Sequence, residues 1–353
     1  MRQVFTSLGP WWGRRLTALF GLSLIAVTSQ AQVDIPTLRA RADNGDAEAA
    51  NMLGSLYADG QGVAQDFQAA LHYFRVSADA GCAEAEYNLG QMYELGRGVD
   101  PDSRAAFASY LKAAKQGIAA AEFNVANMYD RGEGVAPSEV EAVVWMRLAA
   151  ESGLPQAEFN LGLDYEEGRG VAKDEARAQK LYRAAVERGH VRAAYNLALM
   201  LEQGRGSAPD PAAAAGLYRT AALQGFGPAQ NNYGLMLADG RGARAPDLPE
   251  AYAWLCLAVE NGQPPASRDY VARQLDAGQL AAGNARLAAL RRRPAEPAVA
   301  QGSPAEPEIS RLRDQIGKLQ RELDAARLDE ASAERHAANL EAQLQAVREA
   351  ESK

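Results

Sequence analysis

Residues 85–106 read Ala85-Glu86-Tyr87-Asn88-Leu89-Gly90-Gln91-Met92-Tyr93-Glu94-Leu95-Gly96-Arg97-Gly98-Val99-Asp100-Pro101-Asp102-Ser103-Arg104-Ala105-Ala106. Ala85, Leu89 and Tyr93 stand four residues apart and therefore share one face of a helix. Gly96 and Gly98 follow, and glycine supplies the positive φ that ends a helix and lets the chain reverse. Asp102 then offers a side-chain oxygen to cap a second helix, and Ala106 within that helix permits close approach of a neighbour. The stretch is a helix, a glycine turn and a helix.

The same order of residues returns every 36 positions. Gly45, Gly81, Gly117, Gly153, Gly189 and Gly225 mark the period, and Gly262 follows after one inserted residue. Ala85 has equivalents in Ala49, Ala121, Ala157, Ala193 and Ala229. The glycine pair recurs from Gly60/Gly62 to Gly240/Gly242, and the capping residue recurs as Asp66, Asp102, Ser138, Asp174, Asp210 and Asp247. A lone helical hairpin cannot bury its apolar face, so six of them are expected to stack into one continuous core. Residues 35–44 read as a lone second helix in phase with the repeats. Residues 266–293 read as a polar closing hairpin, broken near Asp276-Ala277-Gly278.

The pattern Ala-x-x-x-Leu-Gly-x-x-Tyr-x-x-Gly-x-Gly-Val-x-x-Asp-x-x-x-Ala resembles the Sel1-like repeat, a relative of the tetratricopeptide repeat. The resemblance covers about residues 35–292, although Ser207 and Ala243 stand where the pattern has Val. It implies an all-α, α/α superhelical solenoid of six repeats and an adaptor role, in bacteria often in the envelope or outside the cell. It implies no defined ligand.

The expected organisation is a signal peptide over 1–31, the solenoid over 32–262, capping helices over 263–293, a Pro-rich linker over 294–308 and a coiled coil over 309–351. Arg2, Arg14 and Arg15 precede an apolar run from Leu16 to Val27, and Ser29-Gln30-Ala31 places small residues where a signal peptidase reads. That run is too short for a ~30 Å hydrocarbon core, so cleavage and export to a periplasm or beyond are expected, with no membrane segment left in the mature chain. Cys82 and Cys256 fall several repeats apart and are not expected to pair with each other.

Charge is unevenly placed. Residues 32–262 hold 20 basic and 31 acidic side chains, whereas 263–353 balance at 14 of each. An acidic body repels phosphate backbones and argues against nucleic-acid binding. Beyond Pro294, Pro297, Pro304 and Pro307, the residues Ile309, Leu312, Ile316, Leu319, Leu323, Ala326, Glu330, Ala333, Ala337, Leu340, Leu344 and Val347 alternate three and four apart. That is the seam of a coiled coil, expected to form a homodimer.

The first helices carry a second stripe beside their core face. Tyr87, Phe123, Phe159 and Tyr195 form an aromatic row, and Asn88, Asn124, Asn160, Asn196 and Asn232 an amide row. The stripe continues through Gln91, Asn127, Leu163 and Leu199 to the acids Glu94, Asp130, Glu166 and Glu202. In tetratricopeptide-like solenoids the first helix lines the concave surface. There the aromatics would supply apolar area, the amides would bond an extended backbone, and the acids would select a basic protein or peptide. The alternative is that both rows brace repeat against repeat. Function would then rest on a spacer acting through its coiled coil.

Catalysis finds little support in the pattern. Ser109 and Lys112 have the Ser-x-x-Lys spacing of penicillin-recognising enzymes, but Ser109 occupies a packing position and no Lys-Thr-Gly element accompanies it. His72, His190 and His336 are scattered, so neither a metal nor another cofactor is expected.

Overall fold

The computed structural model describes residues 34–242 and 245–292, and every regular element in them is an α-helix. The signal segment, the Pro-rich linker and the coiled-coil seam lie outside the described residues. After α1 (Ile35–Asp43) come six hairpins: α2 (Ala47–Asp59) with α3 (Phe67–Asp79), α4 (Ala83–Leu95) with α5 (Ser103–Ala114), α6 (Ala119–Arg131) with α7 (Glu139–Glu151), α8 (Pro155–Glu167) with α9 (Glu175–Glu187), α10 (Val191–Gln203) with α11 (Pro211–Leu223), and α12 (Gly227–Asp239) with α13 (Leu248–Glu260). Two further helices, α14 (Ala266–Ala272) and α15 (Ala277–Arg292), follow.

Each hairpin is closed by the same local chemistry. Gly132 ends α6 at φ 70°, and the Ser138 side chain caps α7 by accepting from the Glu141 N–H. The Ser138 N–H donates back to the Tyr129 carbonyl at 2.9 Å, which ties the turn to the helix it leaves. Capping of this kind stabilises a helix by roughly 1 kcal/mol. The second glycine of the pair has a different task. A Cβ on Gly134 (φ 72°) would lie 2.1 Å from the carbonyl oxygen of Ser103, the first residue of α5. Gly170, Gly206 and Gly242 approach the first carbonyls of α7, α9 and α11 in the same way. The turn of one repeat therefore rests directly on the second helix of the repeat before it, an approach only glycine permits.

Packing divides the chain into two units that meet between Cys82 and Ala83. In the first unit, Leu38 and Ala42 of α1 bury against Ala49, Ala50 and Leu53 of α2, and the Phe74 ring covers Gly54. In the second unit, Tyr110 lies over Gly90, Tyr182 over Gly162 and Leu255 over Gly234, each where a Cβ would intrude to within 2.7 Å. The repeating alanines Ala85, Ala121, Ala157, Ala193 and Ala229 are fully buried, as are Ala106, Ala178 and Ala214 on the second helices. Small residues on one helix against rings on the other give the close interior packing that apolar burial rewards. The described part of the second unit ends on α15, whose Leu287 is buried and whose Arg286 and Arg291 pair with Asp247, the cap of α13, and with Glu260 at its end. Cys82 and Cys256 form no disulfide among the described residues.

Candidate protein-binding face

The second stripe of the first helices is tied together by a ladder that runs between helices. Tyr110 donates its hydroxyl to Glu94 at 2.6 Å, Tyr182 to Glu166 at 2.6 Å and Tyr218 to Glu202 at 2.8 Å. Burial, then the adjoining carboxylate, pushes the Tyr110 and Tyr182 hydroxyls far above the ordinary tyrosine range, so both remain donors. The next repeat reaches the same point from the other side. Asn196 donates to the Tyr182 hydroxyl at 3.4 Å, and Arg205, between the two glycines of its turn, meets Glu166 at 2.5 Å. Arg241 pairs with Glu202 in the same register, and Asn124 and Asn232 stand within hydrogen-bonding reach of Tyr110 and Tyr218.

The aromatic row is equally engaged. Tyr87 packs on Tyr110 and Tyr195 on Tyr218, with ring centroids 5.6 and 5.8 Å apart. Phe159 lies 5.8 Å from Tyr182 and stacks on His190 at 4.6 Å. Only 9% of Phe159 is exposed, so it belongs to the core, whereas Tyr87, Phe123 and Tyr195 keep part of their rings open to solvent. Gln91 extends the row by donating to the Tyr87 hydroxyl at 3.2 Å.

Of the four steps that carry an acid, one departs from the rest. Met146 stands where the other three have Tyr110, Tyr182 and Tyr218; Phe74 and Leu255, in the first and last repeats, face steps where Ala58 and Ala238 replace the acid. Among the described residues Asp130 therefore meets no hydroxyl and has one partner, Arg169 at 3.7 Å; 47% of its side chain is exposed. Asn160, which repeats the position of Asn196, has no polar partner among the described residues. Beside this step lies Asp164, 8% exposed, at the position held by Met92, Met128, Met200 and Met236 in other repeats. Its carboxylate pairs with Arg169 at 2.7 Å, yet burial pushes its pKa up to about 6, with Asp130 and Glu167 adding to the rise.

Three further acids do not solubilise the surface. Glu86, Glu122 and Glu158 recur at one repeat position and are buried. Glu86 meets Lys112 at 2.8 Å and Glu158 meets Arg188 at 3.3 Å, while burial pushes the Glu122 and Glu158 carboxyls up. Their recurrence every 36 residues is the signal that marks them as structural. The Glu86 partnership also takes up the lysine of the Ser109-x-x-Lys112 pair, and Ser109 itself is buried in α5. Among the described residues, no helix is long and apolar enough to cross a membrane.

The Sel1 repeat model matches residues 47–82, 83–118, 119–154, 155–190, 191–226 and 227–263, more than half of the chain. The chain belongs to the Sel1 repeat family. A Sel1 repeat protein from Oxalobacter formigenes is 32% identical over 64% of this chain and 99% of its own, with a TM-score of 0.54. The protein c5321, a protective antigen present in uropathogenic Escherichia coli strains with the same repeat fold, is 28% identical, with a TM-score of 0.64. That alignment covers 89% of this chain and 72% of c5321. No curated protein matches the chain. Sel1 repeat proteins generally mediate protein–protein interaction and are typically non-catalytic scaffolds.

Proposed function

We propose that this Sel1 repeat chain is an exported interaction scaffold of a bacterial envelope, which binds a protein or peptide on the face lined by its first helices. The observation that carries this reading is the stripe itself. Tyr87, Phe123 and Tyr195 are partly exposed there at one repeat position, beside a row of partly exposed amides, and the tyrosine–carboxylate–arginine ladder beneath holds them in place. A surface whose side chains are fixed before binding loses less conformational freedom when a partner arrives. The signal-like segment at 1–31 supports export, and a related fold that serves as a protective antigen accords with it. The heptad seam from Ile309 to Val347 supports a second role for the same chain, as a homodimer that presents two such faces.

The test is cross-linking and affinity capture from the envelope fraction of the native host, using the full chain, a deletion of 309–353 and a Phe123→Ala variant. Phe123 is half-buried rather than enclosed, so its truncation probes the face with less damage to the core than a change at Phe159. A partner lost with Phe123→Ala while circular dichroism stays native supports recognition by the first helices. A partner lost only with the deletion moves the function to the coiled coil.

A further inference from the structure

At three steps of the ladder, a tyrosine hydroxyl joins a carboxylate of one repeat. At the step where both sides are hydrogen-bonded, Glu166 and Asn196 converge on the single hydroxyl of Tyr182. The repeat places Asp130 and Asn160 around the same point between the third and fourth repeats, and Met146 leaves it without a hydroxyl. Here the amide has no polar partner among the described residues, and the carboxylate keeps only the long Arg169 contact at 3.7 Å. Phe123 and Asn127 share a helical face with Asp130, at spacings of four and three residues. The charge balance has a definite sign, because Arg169 alone serves Asp130, Asp164 and Glu167.

Resting on the reading of this face as a binding surface, we propose that the step at Met146 is its recognition point and that it takes a basic, extended peptide segment. A lysine or arginine of the partner pairs with Asp130, and the Asn160 amide bonds the partner's main chain, which offers both a donor and an acceptor. An apolar side chain of the partner lies on Phe123. The closed steps have less capacity, since each of their acids already accepts from a tyrosine hydroxyl.

The chain contains the means to close the open step. In the fifth repeat Tyr218 and Ala198 are both fully buried in one core cluster. Met146 and Ala126 hold the equivalent positions in the third repeat and lie in the same cluster, so Met146→Tyr with Asp130→Glu rebuilds a combination this fold already accommodates.

The experiment selects a displayed library of random 12-residue peptides on the full chain and measures one synthesised, enriched peptide by fluorescence anisotropy. The expected result is enrichment of Lys- or Arg-bearing sequences, with binding reduced about tenfold by Asp130→Asn, by Asn160→Ala and by the Met146→Tyr/Asp130→Glu closure. Glu141→Gln, an exposed acid on the second helix of the same repeat as Asp130 and outside the stripe, is expected to change binding less than about twofold. Thermal melts of each variant separate lost recognition from lost folding, and Asp130→Asn alters only an exposed side chain if the closure variant fails to fold. Peptides that lack basic residues, or that bind the Asp130 and Asn160 variants unchanged, overturn the proposal. If such peptides still lose binding with Phe123→Ala, the interaction face stands without this recognition point. If they ignore Phe123→Ala as well, or if no peptide is enriched, peptide recognition by this face fails too.

Discussion

Replacing Gly134 by alanine tests how the repeats are joined. The residue sits at φ 72°, and its Cβ would lie 2.1 Å from the Ser103 oxygen, 2.5 Å from the Ser103 carbonyl carbon and 3.0 Å from the Arg104 nitrogen. Two costs are then superposed. Holding alanine in the left-handed region costs about 1–2 kcal/mol. The contact adds to that, because all three atoms are backbone and no rotamer change relieves them. The turn of the third repeat must lift off α5 by roughly 1 Å to restore a van der Waals distance, an overpacking cost of about 1–3 kcal/mol or more. Gly117→Ala supplies the control, since Gly117 has φ 86° and nothing within 4 Å of its Cβ position. Gly117→Ala is expected to lose about 1–2 kcal/mol and Gly134→Ala about 2–5 kcal/mol, a further drop in Tm of about 2–12 °C. Urea unfolding followed by far-ultraviolet circular dichroism measures both. Hydrogen exchange locates the weakened site, which the contact places at the junction of the second and third repeats. Equal losses in the two variants would refute the reasoning, since the second glycine would then serve backbone conformation alone.

The remaining predictions concern buried polar groups. Asp164 has a folded-state pKa of about 6 against an ordinary 3.8, so its contribution is present at low pH and lost as pH rises through about 6. Asp164→Met, the residue of four other repeats, is expected to stabilise the chain at pH 7 by up to about 3 kcal/mol in urea unfolding, and to leave stability near pH 4 unchanged. His190 runs the other way: burial, then Arg192, lowers its pKa to about 4 from 6.5, so stability falls by up to about 3 kcal/mol as pH drops from 6.5 toward 4. His190→Phe, matching Phe226 of the next repeat, is expected to remove that fall, measured as unfolding midpoint against pH. Tyr182→Phe deletes the hydroxyl shared by Glu166 and Asn196 and is expected to cost about 1–2 kcal/mol. A double-mutant cycle with Glu166→Gln is expected to show coupling, and strict additivity would mean the bond contributes nothing.

Much of the fold was legible because its determinants are local and recur. Ala85, Gly96 and Asp102 announce a core position, a helix end and a helix start within one stretch, and six copies remove ambiguity about period. The state of the stripe residues was less legible. Helical spacing places Glu94, Glu166 and Glu202 on an outward-facing row, yet their partners lie 16 residues on, and for the latter two also 39 residues on, in other helices. A helical wheel registers neighbours three and four residues away and is blind to these. Phe159 was read as part of an open aromatic row, and His190 closes over it from the start of the next repeat. That contact depends on one residue at a position where other repeats have Cys82, Ile118, Leu154 or Phe226. Glu86, Glu122 and Glu158 merged with the general surplus of acids because composition does not distinguish a buried carboxylate from a solvated one.

A repeat array makes structure and specificity separable in a way a unique fold does not. Whatever recurs at every step, such as the capping residues and the turn glycines, is explained by the need of each hairpin to stack on the next. Residues that serve only this purpose gain nothing by differing between steps. Met146 and Asp164 differ in a costly direction: one removes a hydrogen-bond donor that its neighbours use, and the other buries a carboxylate where methionine would pack. Both changes fall at the junction of the third and fourth repeats, and both leave negative charge less compensated there. Loss of stability confined to one step, where it also exposes Asp130 and frees Asn160, is the arrangement expected of a surface shaped for a partner. The Asp164→Met variant separates the two roles: a gain in stability with unchanged peptide binding would assign recognition to Asp130 and Asn160 alone. A gain accompanied by weaker binding of basic peptides would make the buried carboxylate part of the field that attracts them.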